Sequence, residues 1–204
     1  MPTISITQGL AEIKLLGKRI DAALEGTEWI AVATKSHPVD ADRLKTKAQA
    51  AEQSYTALVK RRQILKAAIV KSNAETIVRI GPTEMSVAEA IERKTSIAYQ
   101  QRLLDSMRSA HYSATQTYRS EQEQVQARLD RLLATELGKD VRTNPETIAA
   151  LTSTFKETNK VDLVDPLHLA DRIKALEEEV ETFTTNVDWV LAESNGRTMI
   201  EVPA

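Results

Sequence analysis

SVAEAIERKTSIAYQQRLLDSMRSAHYSATQTYRSEQEQVQARLDRLLATEL, residues 86–137, is the stretch that decides the fold, because it holds neither glycine nor proline, the residues that interrupt a helix. It opens on Ser86-Val87-Ala88-Glu89, a capping box in which a hydroxyl and a carboxylate satisfy orphan N–H groups of the first turn. Leu104, His111, Tyr118, Val125 and Leu132 then recur at heptad spacing, with Met107 and Ala114 in the alternate core positions, so one stripe faces a partner helix. Gly138 is the expected C-cap. At about 1.5 Å per residue the run reaches about 75 Å, far longer than an ordinary globular helix. The fold class this predicts is mainly α: an elongated antiparallel helical bundle built on a long helical hairpin, with a small β element at one end.

Composition agrees with that class. Aromatic residues are 4% of the 204, glycine and proline number six each, and helix formers dominate the rest. A core spread along a bundle needs no second centre, so 1–204 is expected to be one elongated domain. Its parts are 1–39 (an N-terminal helix and β-prone loop), 40–138 (the hairpin) and 139–204 (C-terminal helices and an edge strand). The formal charge of -2, from 27 basic and 29 acidic residues, gives no global field that recruits nucleic acid or anionic lipid. With no cysteine, disulfides and thiolate metal sites drop out. Met1-Pro2-Thr3-Ile4-Ser5 has no basic region leading into an apolar run, and no segment approaches the roughly 18 apolar residues of a membrane span. A soluble protein without a signal peptide is the expectation.

Working outward, Leu10, Ile13, Leu16, Ile20 and Leu24 mark a first helix over 7–25, preceded by the box Ser5-Ile6-Thr7-Gln8 and stopped by Gly26. Glu28-Trp29-Ile30-Ala31-Val32-Ala33-Thr34 reads as a short strand before the loop Lys35-Ser36-His37-Pro38. A second helix spans 40–72, with Leu44, Ala51, Leu58 and Leu65 on one heptad position and Ala48, Tyr55 and Ile69 on the other. Arg62 interrupts that seam, either as a stem lying along the apolar groove or as a partner-facing charge. Thr76-Ile77-Val78-Arg79-Ile80-Gly81-Pro82-Thr83-Glu84-Met85 reads as a small hairpin that makes the second and third helices antiparallel neighbours. Asn144-Pro145-Glu146 starts a short helix with Ile148, Leu151 and Phe155 on one edge. Asp165-Pro166 starts the last, whose stripe Leu169, Ile173, Leu176, Val180, Phe183, Val187 and Leu191 ends at Asn195-Gly196, a candidate left-handed cap. Thr198-Met199-Ile200-Glu201-Val202 is a plausible edge strand to pair with the Trp29 or Ile77 segment.

Chemistry-bearing patterns are scarce. His37, His111 and His168 sit in no ligand spacing, and His111 falls on the core seam, so no metal is expected. Glu177-Glu178-Glu179 with Glu181 reads as a solvated helix face around Leu176 and Val180. There is no glycine-rich phosphate loop and no Gly-x-Ser-x-Gly elbow, so neither a cofactor, a small-molecule substrate nor an enzyme is expected. Lys60, Arg61 and Arg62, with Lys66 and Lys71, form the best candidate phosphate contact, but no aromatic platform accompanies them and nucleic acid is not the expected partner. Partner contacts are instead assigned to Trp29, Ile77, Met85, Trp189, Met199, Ile200 and Val202. Trp189 lies beside the main stripe, where it either widens the core face or protrudes as a contact anchor.

The run from Arg61 through Asn73-Ala74-Glu75-Thr76 and the Gly81 turn to Met85-Ser86-Val87-Ala88-Glu89-Ala90-Ile91-Glu92-Arg93 resembles the septicolysin-like family of small helical proteins. Gly9-Leu10-Ala11-Glu12-Ile13-Lys14, and Glu193-Ser194-Asn195 with Thr198-Met199-Ile200-Glu201-Val202, resemble uncharacterised proteins encoded among the structural genes of tailed bacteriophages. The resemblance brings no catalytic residues. What it implies is a non-enzymatic virion component that contacts capsid, neck or tail subunits as a homo-oligomer in a symmetric assembly, found in the virion and in the host cytoplasm during assembly. The alternative is a cytoplasmic helical adaptor or assembly chaperone that binds a partner through a coiled-coil-like seam.

Overall fold

The structure, a computed structural model, describes residues 2–137 and 145–203. Its elements in chain order are β1 (Thr3–Ser5), α1 (Ile6–Leu24), α2 (Ala41–Glu75), β2 (Ile77–Ile80), β3 (Thr83–Ser86), α3 (Val87–Leu137), α4 (Pro145–Thr158), α5 (Leu169–Arg197) and β4 (Met199–Glu201). The mainly α class is therefore what the hydrophobic spacing dictates. The chain divides into two compact units, Met1–Ser96 with Thr182–Ala204 and Ile97–Glu181. The expected caps at Gly138 and Asn144 lie outside the described residues.

In the first unit, α1 begins where the sequence places it. Ser5 Oγ accepts the Gln8 N–H at 3.2 Å, and Gln8 Oε1 accepts the Ser5 N–H at 3.0 Å. The buried stripe starts at Ile6 and runs through Gly9 to Leu16, while Leu10 and Leu24, expected in it, are exposed. Leu10 falls on the margin of the face that Ile6 and Leu16 define. Asp40 caps α2 by accepting the Arg43 N–H at 3.0 Å, and the seam from Leu44 to Ile69 is half-buried or buried at each expected position, Arg62 included. That seam packs on α1, with Glu12 and Arg61 paired at 2.9 Å between them. Ile6, Leu16, Leu65, Ile69, Ile200 and Val202 make the core.

Two strand expectations change. The tail strand β4 pairs antiparallel with β1, Ile4 opposite Ile200, and not with the Trp29 or Ile77 segment. Pairing there buries Ile200 and Val202 on the Ile6 core, a gain neither alternative offered. Residues 27–34 form no strand among the described residues, where the ladders join β1 to β4 and β2 to β3 and leave the run without a strand partner. The β2–β3 hairpin forms as expected around Gly81-Pro82. Gly81 has φ +59, and a Cβ there would collide with the Thr182 methyl. Gly81→Ala should cost about 1–2 kcal/mol from the left-handed backbone alone, read as a lowered thermal midpoint.

The hairpin leads directly into α3. The Ser86 N–H and hydroxyl donate to Glu89 Oε2 at 2.6 and 2.9 Å, and Ser86 Oγ accepts the Glu89 N–H at 3.1 Å. The backbone bond from Ser86, then its hydroxyl, holds the Glu89 carboxyl below the usual carboxylate range. A carboxyl lowered in the folded state stabilises above its unfolded pKa and loses that contribution as pH falls through the folded value. The difference in denaturation midpoint between the native chain and Glu89→Gln should therefore be present at neutral pH, begin to shrink as the pH falls below 4.5, and close only below the lowered folded value.

α5 is a partner of α3 in both units. Within the first unit its early turns face α5, with Lys94 on Asp188 and the Arg93 guanidinium 4.7 Å from the Phe183 ring centroid. Within the second unit Arg108 bonds Glu177 (Nε–Oε1 2.7 Å) and Gln100 bonds Glu179 at 3.1 Å, so residue numbers fall on α5 as they rise on α3, the mark of an antiparallel pair. The long pairs are thus α1 with α2 and α3 with α5. What joins α2 to α3 is the β2–β3 hairpin. Two glutamates expected in solvent, Glu177 and Glu179, are the ones that reach α3.

Along α3 in the second unit Leu104 and Leu129 are buried, and His111, Tyr118, Val125 and Leu132 half-buried. Ala114 is exposed and Thr115 takes its place inward, because a straight helix drifts about 20° per heptad from a strict seven-residue repeat. Ile148, Leu151 and Phe155 give α4 a half-buried edge, as expected. At the start of α5 the Asp165 carboxylate accepts the Leu169 N–H at 2.7 Å, so the helix begins after His168, whose φ is +50, and not at Pro166. Its far end, in the first unit, runs through Asn195-Gly196 to Arg197 without a left-handed residue.

Candidate contact surfaces

α1 is shorter than α2, and the Glu12–Arg61 pair fixes their alignment, so α1 ends before it reaches the first turns of α2. Gly26 turns the chain at φ +70 and residues 27–34 run extended along the uncovered part. Trp29, Ala31 and Ala33 line a cleft of about 440 Å³ against Leu44 and Ala48 of α2. The intervening Ile30 and Val32 are turned to solvent, 84% and 85% exposed. A tight turn follows, in which Thr34 and His37 exchange backbone N–H and carbonyl bonds at 3.0 and 3.1 Å. None of the backbone N–H or carbonyl groups of residues 28–33 bonds another group among the described residues. Two bare β-branched side chains on an unpaired backbone are what an association edge looks like.

The other expected contact residues scatter. Trp189 is 57% exposed on α5, its Nε1–H donating to Asn186 Oδ1 at 3.0 Å, so it protrudes and does not widen the core. Ile77 and Met199 are exposed, and Met85 is half-buried opposite Val78. Ile200 and Val202 are corrected outright: at 5% and 1% exposure they are core residues. Of the proposed phosphate contacts Lys60 is exposed, whereas Arg61 is engaged by Glu12 and by the Pro203 carbonyl. A cation already paired on two sides is a poor phosphate ligand.

The second unit carries a site that the sequence reading missed. His111, Ala114 and Thr115 of α3, with Leu163, Asp165 and Leu167 before α5, line a pocket of about 240 Å³, and Val164 on its rim is 85% exposed. The signal was the run Val161-Asp162-Leu163-Val164-Asp165-Pro166-Leu167, apolar residues in a connection where polar ones are the rule. Among the described residues no group of three or more His, Asp and Glu gathers as a metal site requires, and no helix is long and apolar enough to cross a membrane. No protein-family model matches the chain, and no curated protein or solved structure gives a significant match to it.

Proposed function

We propose that this chain is a non-enzymatic structural protein that works through protein–protein contacts, and that its setting is the particle of a tailed bacteriophage. The observation that carries the contact role is the 27–34 segment, an extended backbone without a ladder that displays Ile30 and Val32 to solvent. Side chains of that kind stabilise a protein only when a neighbour covers them, at about 25 cal/mol per Å² of apolar surface removed from water. The virion setting rests on the resemblance of the N- and C-terminal segments to phage structural-region proteins. Trp29, Trp189 and Met199 are the further anchors this reading uses.

Ile30→Asp/Val32→Asp should leave the circular dichroism spectrum and melting midpoint unchanged, since both side chains are bare, yet reduce incorporation of the chain into particles by at least about tenfold. Unchanged incorporation would refute the role of the segment. The adaptor or assembly-chaperone reading is favoured by one feature, the small apolar pocket beside His111, which suits a single side chain of a transient client. A chaperone is left behind when particles are purified, so copy number separates the two.

A further inference from the structure

The bonding pattern of the β1–β4 sheet leaves one edge open. Ile6 N–H donates to the Thr198 carbonyl and Val202 N–H to the Pro2 carbonyl, so the hydrogen-bonded positions on the tail are 198, 200 and 202. The N–H and carbonyl groups of Met199 and Glu201 therefore point away from β1, and no group among the described residues meets them. They face a groove of about 520 Å³ whose opposite wall is formed by Ala68, Lys71, Ser72 and Glu75 of α2 with Thr76 just after it. An open strand edge beside a groove is the geometry in which an extended segment adds to a sheet.

We propose that the occupant is residues 28–34 of a second copy of this chain, which would join copies head to tail. The inference rests on the contact-protein reading and holds in a phage particle or outside one. Two observations select this occupant. The chain itself carries an unpaired extended segment of the right kind, with Ile30 and Val32 bare, and within one copy it does not reach β4. The charges agree too. The Arg61–Pro203 contact fixes the end of β4 near Arg61, so an antiparallel added strand sets Lys35 at the Glu75 end of a groove whose lining holds Glu75 and Glu201 against Lys71. Seated so, Ile30 and Val32 lie against the α2 wall. Strand and groove are different patches, so the contact is heterologous and closes into a ring or extends into a filament.

The test uses two variants and one peptide. Ile30→Asp/Val32→Asp spoils the strand, and Ser72→Arg fills the groove. In sedimentation runs the mass of the native chain should rise with concentration and each variant should stay monomeric. A mixture of the two should form a one-to-one dimer, since each supplies the half the other lacks. A synthetic peptide of residues 27–36 should bind the native chain and the strand variant, and bind Ser72→Arg at least about tenfold more weakly, equivalent to about 1.4 kcal/mol. The inference is overturned if the native chain is monomeric throughout, if the variants associate as the native chain does, if the mixture gives no dimer, or if the peptide ignores the groove. The strand variant keeps the groove intact, so a peptide that binds neither it nor the native chain overturns the inference even if Ser72→Arg does not fold. Because every readout uses purified protein, its failure leaves membership of a particle to be judged separately.

Discussion

Removing residues 198–204 should unfold the first unit at a markedly lower denaturant concentration, a loss of about 3–6 kcal/mol. The figure follows from two side chains, Ile200 and Val202, each worth about 1.5–3 kcal/mol when fully buried. Both are at least 95% enclosed, and both touch the cluster formed by Ile6, Leu16, Leu65 and Ile69. The truncation also strips β1 of its only ladder among the described residues and frees the Arg61 guanidinium from the Pro203 carbonyl. Urea titration followed by circular dichroism would measure this. A truncated chain that unfolds at the native midpoint would show that the tail is an appendage available to partners, as its edge-strand pattern alone had suggested.

The second large effect belongs to Phe183→Ala, expected to cost about 3–5 kcal/mol as a buried aromatic truncation. Phe183 is 3% exposed and lies beneath the Arg93 guanidinium, between an early turn of α3 and α5. Its loss leaves a void and removes the ring beneath the Arg93 guanidinium. Trp189→Ala is the matched control: also aromatic and six residues further along α5, but 57% exposed, it should shift the same midpoint by no more than about 0.5 kcal/mol. Equal effects at the two positions would contradict the assignment of α5's inner face.

What could be read from the sequence divides along physical lines. Local signals were legible. Ser5 with Gln8, Asp40, and Ser86 with Glu89 all cap where their spacing says, because a cap involves only neighbours on the chain. The Gly81-Pro82 reversal follows for the same reason. Choice of partner was not legible, since the stripes of α2, α3 and α5 share nearly the same period and period does not name the matching face. Thus α2 meets α1 and α3 meets α5, pairings that the period alone does not name. Strand formation failed at residues 28–34 because β propensity measures fit to a ladder that must exist elsewhere. Asn195-Gly196 failed as a stop because one glycine costs a helix only about 1 kcal/mol when the helix continues past it. Trp29 stood out by its rarity in an aromatic-poor chain, and it is exposed. The open groove beside β4 was not legible, since it exists only once β1 and β4 have paired.

The account stands on one measurement above the rest, quantitative mass spectrometry of purified phage particles from the system that encodes this chain, calibrated against the major capsid protein. It predicts the chain at a fixed, symmetric number of copies per particle, and the Ile30→Asp/Val32→Asp chain largely missing from them. A chain abundant in infected cells but absent from the particles would contradict it.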